Sequence, residues 1–241
     1  MKLRFHPLPG FTFFAVLMLA VLLGLGFWQL ERLHWKLGLI AQMSRNMHAA
    51  PLSIHQVMAM GIAGAQYRHV SLRGRYLNSS EAYIYATDGQ GTPVYHVWTP
   101  LLLDGGGVMM IDRGIVPPSL REPRTRAIGE LRGEQEVTGV LRTPDGPGPF
   151  TPAPQLAQHI WYARDVSGVA RAEHVHVLAP VIIEADAAAN PGGWPRGGQT
   201  VVDLPNNHLQ YAITWFLLAA GLVIVYFAYH RARGRLRVSA A

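Results

Sequence analysis

Two long apolar runs bracket the chain, and the period of the segment between them changes along its length. The first run extends from Phe11 to Leu30 with only Thr12 and Gln29 polar inside it. The last opens at Leu204-Pro205-Asn206-Asn207-His208 and reaches Tyr229 without a formal charge. About twenty apolar residues suffice to cross a bilayer as a helix, so both runs predict membrane-spanning helices. Between them, Leu39 to Met60 carries helical spacing, interrupted near Pro51. From Tyr67 the period drops to two, in Arg68-His69-Val70-Ser71-Leu72-Arg73-Gly74-Arg75-Tyr76, the mark of a half-buried strand. Further strands are predicted at 82–86, 93–103, 108–112, 136–142, 161–166 and 174–184, and Asp104-Gly105-Gly106-Gly107 reads as a hairpin turn. Residues 143–154 hold five prolines, which excludes a regular element there. The pattern predicts an α+β membrane protein: two transmembrane helices flanking a mainly antiparallel β domain with short helices. The expected organisation is an N-terminal lead at 1–10, a first span at 11–31, a β-rich domain at 32–206, a second span at 207–229 and a basic tail at 230–241.

The formal charge of +6 suggests nucleic-acid binding until it is located. Lys2 and Arg4 precede the first span, and Arg231, Arg233, Arg235 and Arg237 follow the last, with no acidic residue in either tail. These six account for the whole excess, so no basic footprint for nucleic acid remains. Short flanks rich in Lys and Arg stay on the cytoplasmic side. Both termini are therefore expected in the cytoplasm and the main domain outside it, in a multi-pass protein of the cell (inner) membrane. A cleaved signal peptide needs small residues at its exit, whereas this run leaves through Gly26-Phe27-Trp28-Gln29-Leu30-Glu31-Arg32; an uncleaved helix is expected. The absence of cysteine removes disulfides, thiolate metal sites and thiol redox chemistry.

The chain carries no Gly-x-Ser-x-Gly elbow, phosphate loop, His-Glu-x-x-His motif or dinucleotide fingerprint, and an enzyme is not expected. Asp112-Arg113 reads as a structural ion pair or turn hydrogen bond. His174 and His176 would share a strand face but have no third ligand near in sequence, and Met58 and Met60 fit packing at helical spacing. The unusual chemistry lies where the two spans face outward. Trp28, Arg32 and Trp35 fall on one helical face with Gln29 beside them, and His208, Tyr211 and Trp215 fall on another. An aromatic belt, a snorkelling Arg, an Asn cap and an interfacial His account for these residues singly. If the helices pack together, Trp28, Gln29 and Arg32 meet His208, Gln210, Tyr211 and Trp215 in one layer. Such a layer suits a flat apolar cofactor with an acidic edge: imidazole is a haem-iron ligand, Trp and Tyr would flank the ring, and Arg32 with the start of the last helix would receive propionates.

Four stretches carry a family resemblance over nearly the whole chain. They are Gly26-Phe27-Trp28-Gln29-Leu30-Glu31-Arg32-Leu33-x-Trp35-Lys36, Arg113-Gly114-x-Val116-Pro117, Gly193-Trp194-Pro195, and Asn207-His208-Leu209-Gln210-Tyr211-Ala212-Ile213-Thr214-Trp215-Phe216. With these the chain resembles the Surfeit locus protein 1 family, in a bacterial-type member; Ile115 departs from the family pattern, which often has Trp there. The resemblance implies a non-enzymatic assembly factor for haem-copper cytochrome c oxidase that assists delivery or insertion of haem a into the catalytic subunit. It implies two spans with the termini inside, and His208 as ligand to the iron of transiently bound haem a; the layer read above would put Arg32, Gln29, Trp28, Tyr211 and Trp215 around it. The partners implied are the oxidase catalytic subunit, haem a synthase and membrane lipid, with no nucleic acid. The alternative is a cofactor-free membrane scaffold that stabilises oxidase assembly intermediates.

Overall fold

A computed structural model describes residues 2–200 and 205–239; Leu204, which opens the last apolar run in the sequence, lies outside them. In chain order the elements are β1 (Lys2–Phe5), α1 (Pro9–His48), α2 (Ile54–Met60), α3 (Ile62–Ala65), β2 (His69–Tyr76), β3 (Ala82–Thr87), β4 (Pro93–Leu103), β5 (Val108–Val116), β6 (Glu134–Arg142), β7 (Ile160–Trp161), α4 (Val166–Ala172), β8 (Val177–Ala185), α5 (His208–Ala232) and β9 (Leu236–Ser239), with short 3₁₀ turns between them. They form two units, one of residues 2–42 with 205–239 and one of residues 43–200.

The first unit is a pair of helices long and apolar enough to cross a membrane. At about 1.5 Å per residue, α1 is about 60 Å long and α5 about 37 Å. Their most apolar windows have mean hydropathies of 2.3 and 2.1, and only 6% and 11% of those windows are buried; a core helix of a globular domain would be mostly covered. Each helix runs antiparallel to the other. Near one end Thr12 Oγ1 and Tyr226 OH are 2.7 Å apart, and Phe11 stacks on Tyr226 at 5.6 Å. His230, fully buried, donates from Nδ1 to the Tyr226 carbonyl at 2.9 Å and accepts from the Leu8 N–H at 3.3 Å through Nε2. Beyond it β1 and β9 pair antiparallel, Lys2 opposite Ser239 and Phe5 opposite Leu236. Toward the other end Gly26 lets the Phe216 ring close on the backbone: a Cβ there would lie 2.7 Å from Phe216 Cε1. The helix α1 does not stop with the apolar run but continues to His48, because Leu33, Leu37, Ile40 and Met43 keep supplying helix-compatible apolar residues until Pro51.

The second unit is a curled sheet with strand order β2-β6-β8-β5-β4-β3-β7, and β2 also pairs with β4. That extra pairing closes β2, β6, β8, β5 and β4 into a small barrel, from which β3 and β7 extend. Every pairing is antiparallel except β5–β8 and β3–β7. Closure happens at Gly74, opposite Leu103. A Cβ at Gly74 would run into the Leu102 carbonyl and lie 3.0 Å from Leu103 Cα, so the strands approach only because this strand residue has no side chain.

Period two sorts most of the core into two layers, with a smaller third cluster at Tyr83, Val97 and Val116. Met109, Ile111, Val181 and Ile183 join Val70, Leu72, Leu101, Leu103 and Leu141 in one cluster, roofed by Val57 of α2. Met110 and Ile182, one residue out of phase, join Trp98, Ile84 and Trp161 under Val166 and Val169 of α4. Ser53 and Gln56 cap α2 reciprocally, Ser53 N–H to Gln56 Oε1 at 2.8 Å and Gln56 N–H to Ser53 Oγ at 3.4 Å. Two predicted strands are corrected. The strand expected at 161–166 ends at Trp161; Asp165 then accepts from the Gly168 N–H at 2.8 Å and starts α4. The strand expected from His174 begins at Val177, because His174 sits in the turn after α4 with φ 55°, so His174 and His176 lie outside any strand.

Candidate functional site

The head of α5 is built by residues that favour helix entry. Pro205 and Asn206 lead in, Asn207 is the N-cap, and its carbonyl accepts the Tyr211 N–H at 3.1 Å. His208 is therefore the first helical residue. Its Nδ1 donates to Gln29 Oε1 of α1 at 2.7 Å, joining side chains 179 positions apart. An amide oxygen only accepts, so this bond takes the proton on Nδ1, and in a neutral ring the lone pair then lies on Nε2. Among the described residues Nε2 has no hydrogen-bond partner.

Of the predicted site residues, the structure brings His208 and Gln29 into direct contact. Trp28 and Tyr211 each expose more than half of their surface, at 53% and 55%, and Trp215 is half-buried. Arg32 is exposed and lies over the ring of its own helical neighbour Trp35 at 3.9 Å. The layer below is packed: Phe27 and Phe216 meet edge-on at 5.4 Å. With about 26 Å of helix rise between Thr12 and Gln29, the Thr12–Tyr226 and Gln29–His208 contacts are separated by nearly the thickness of a bilayer's hydrocarbon core.

The donor set suits haem better than a bare metal ion. No group of three or more His, Asp or Glu able to hold an ion occurs among the described residues. A porphyrin supplies its own four nitrogens and needs only axial ligands, for which a neutral imidazole with Nδ1 tied and Nε2 unprotonated is the required form. The exposed Trp28 and Tyr211 rings offer apolar faces, and the Arg32 guanidinium offers a partner for a carboxylate.

The barrel unit holds two polar networks of which the sequence showed only Asp112 and Arg113. As neighbours on β5 these two point to opposite faces. Asp112 accepts from His96 Nδ1 at 2.8 Å and from the Gly114 N–H at 3.0 Å, with Arg164 at 3.6 Å. Burial alone would raise its carboxyl, but His96, Arg164 and Gly114 together hold it below the ordinary carboxylate range. Arg113 meets Glu81 at 3.3 Å and the Gly129 carbonyl. Arg126 meets Glu81 and Glu130. Burial, and then the Glu81 charge, raise Glu130 against the pull of Arg126 and Arg113, and burial pushes the Tyr76 hydroxyl up to about 12 against the pull of Arg113. The charges of both networks pair within them. His230 was likewise not singled out; its signal is the i, i+4 pair Tyr226 and His230 in the last turns of α5.

Comparison with known proteins identifies a family. The model of the SURF1 family matches residues 16–220. The chain is similar to Surfeit locus protein 1 of Takifugu rubripes, 32% identical over 231 residues that cover 89% of this chain and 95% of that protein. It is 33% identical to Surfeit locus protein 1 of Mus musculus over 89% of this chain and 74% of the relative, and 31% identical to a SURF1-like protein of Drosophila melanogaster over 89% and 75%.

Proposed function

Because the chain belongs to the SURF1 family, we propose that it is a membrane-anchored, non-enzymatic assembly factor for haem-copper cytochrome c oxidase that holds haem a transiently on His208 on the way to the oxidase catalytic subunit. The observation that supports this most is the 2.7 Å bond from His208 Nδ1 to Gln29 Oε1, which leaves Nε2 as the ligating atom. Trp28, Tyr211 and Trp215 would flank the porphyrin, and Arg32 would leave Trp35 for a propionate. The haem supplies the redox-active iron when bound; the protein's residues bind it, orient it and release it. The expected partners are the catalytic subunit, haem a synthase and the lipid around the helix pair.

The proposed organisation places spans at 11–31 and 207–229, the lead at 1–10 and the tail at 230–241 in the cytoplasm, and the domain at 32–206 on the opposite side, in a cell inner membrane. Expression of the full chain with and without haem a synthesis, followed by a visible spectrum, tests the haem reading. His208→Ala should insert and accumulate normally, since Ala is the best helix former, yet lose most bound haem. Arg32→Ala should lose less, as it removes one charge-assisted contact, and substitution of His174 or His176 should change nothing. A wild-type haem spectrum in His208→Ala would overturn the ligand assignment. If neither protein carried haem, the cofactor-free scaffold would take its place.

A further inference from the structure

We infer that Gln29 is a positioning residue: its neutral carbonyl fixes His208 in the Nδ1-protonated form and makes it a haem ligand of moderate strength, able to bind and to let go. This rests on the haem reading above and deepens it. Within the run Phe11–Leu30 only Thr12 and Gln29 are polar, and both are bonded to α5, Thr12 to Tyr226 and Gln29 to His208. A polar side chain inside a span needs a partner. Thr12 could have found one in its own helix, whereas Gln29 reaches across to another. The Phe216 ring against Gly26, three positions before Gln29, fixes the approach of the helices and so the placement of both side chains.

The chemistry of the partner matters as much as its position. A group accepting the second ring N–H of a ligating His selects the tautomer and raises the donor strength of the other nitrogen, and a carboxylate does so more than an amide. The chain has a carboxylate two residues away, Glu31, but two residues on a helix lie about 200° apart, so Glu31 faces away from the amide's direction. The face toward His208 therefore carries the weaker partner. For a resident haem a strong ligand is favourable; for a cargo that must leave, an amide is the better match.

The test uses the full chain in nanodiscs, with haemin as the probe. In the haem-free protein, ¹⁵N-histidine NMR, assigned by difference from His208→Ala, should show His208 protonated on Nδ1. Gln29→Leu should move that population toward the Nε2-protonated form and speed haem transfer to apomyoglobin about ten- to a hundred-fold, the range for loss of such a partner. Gln29→Glu, which keeps an acceptor and so guards against mere misfolding, should slow transfer and lower the iron's midpoint potential. A bond that only ties the helices together would shift the tautomer on its loss but leave the transfer rate and the iron's potential unchanged. Nδ1 unprotonated in the wild type, or Gln29→Leu leaving tautomer or transfer rate unchanged, would overturn the inference. Haem retention by His208→Ala would instead refute the haem reading, while the NMR result still reports the pairing by itself.

Discussion

Arg126 and Glu81 meet at 2.6 Å inside the barrel unit, with 2% of either side chain open to solvent. The same carboxylate receives Arg113, and Glu130 lies against both guanidinium groups, so two cations and two anions cancel where water cannot. Glu81 also accepts from Thr99 Oγ1 at 3.0 Å and from Tyr83 OH at 3.3 Å. Removing the anion leaves two buried cations to share Glu130 alone. Glu81→Ala should therefore destabilise the fold by about 3–5 kcal/mol, the range for breaking a buried pair from one side. Denaturant unfolding followed through the buried Trp98 and Trp161 would measure it, and a loss under about 1 kcal/mol would mean that the cations find new partners.

Asp112 and Glu130 give the unit opposite pH dependences. The folded carboxyl of Asp112 lies below its ordinary value, so its contribution is present above the unfolded value of about 3.9 and is lost as pH falls through the depressed folded one. That of Glu130 is raised, so its contribution is fully present below the unfolded value of about 4.3 and is lost as pH rises through the folded one. Unfolding midpoints measured across the acid range should show Asp112→Asn flattening the loss on the low-pH side, and Glu130→Gln flattening the decline on the other. Parallel curves for wild type and Asp112→Asn would contradict the first assignment.

The helix pair should depend on Gly26. The atoms nearest to a Cβ there belong to the ring edge of Phe216, so Gly26→Ala should be tolerated by a small ring rotation. Gly26→Ile should force the helices apart, and Phe216→Ala should restore the approach. Since the chain has no cysteine, thiols placed at Thr12 and Tyr226 and joined by a short bis-maleimide provide the readout. The cross-link should fall with Gly26→Ile and recover in the double variant; equal yields in all three would rule out close packing at this point.

The proposed topology follows from charge at the two ends. Reporter fusions after Arg237 should behave as cytoplasmic, and fusions in the Pro-rich loop at Gly146 as external. A cytoplasmic signal at Gly146 would sink the two-span arrangement.

Local patterns in the sequence marked what local forces decide. The alternation before Tyr76 became β2, and the Asp104–Gly107 turn joined β4 to β5. The segment after Trp161 misled because Val166 looks like a strand residue, yet Val166, Val169 and Ala170 bury the i, i+3, i+4 face of a helix. Barrel closure left one trace, a glycine inside a strand pattern at position 74, since the pairing it permits is with a distant strand. At the head of the helix pair, periodicity marked Trp28, Arg32, His208, Tyr211 and Trp215 alike. Which α1 side chain meets His208 depends on how the helices pack, and Gly26 against Phe216 settles that only in three dimensions.

The pairing of α1 with α5 also has a cost in time. Leu8 and His230 are 222 positions apart, and Gln29 and His208 are 179 apart. At a synthesis rate of about 5–20 residues per second, the first helix waits on the order of tens of seconds for its mate. Throughout that interval Thr12 and Gln29 face lipid or some temporary companion, with the barrel unit emerging in between. A ribosome that stops anywhere before the last helix leaves a lone span with an unmet amide in it. The membrane unit is thus completed only once α5 has followed the whole barrel unit out of the ribosome.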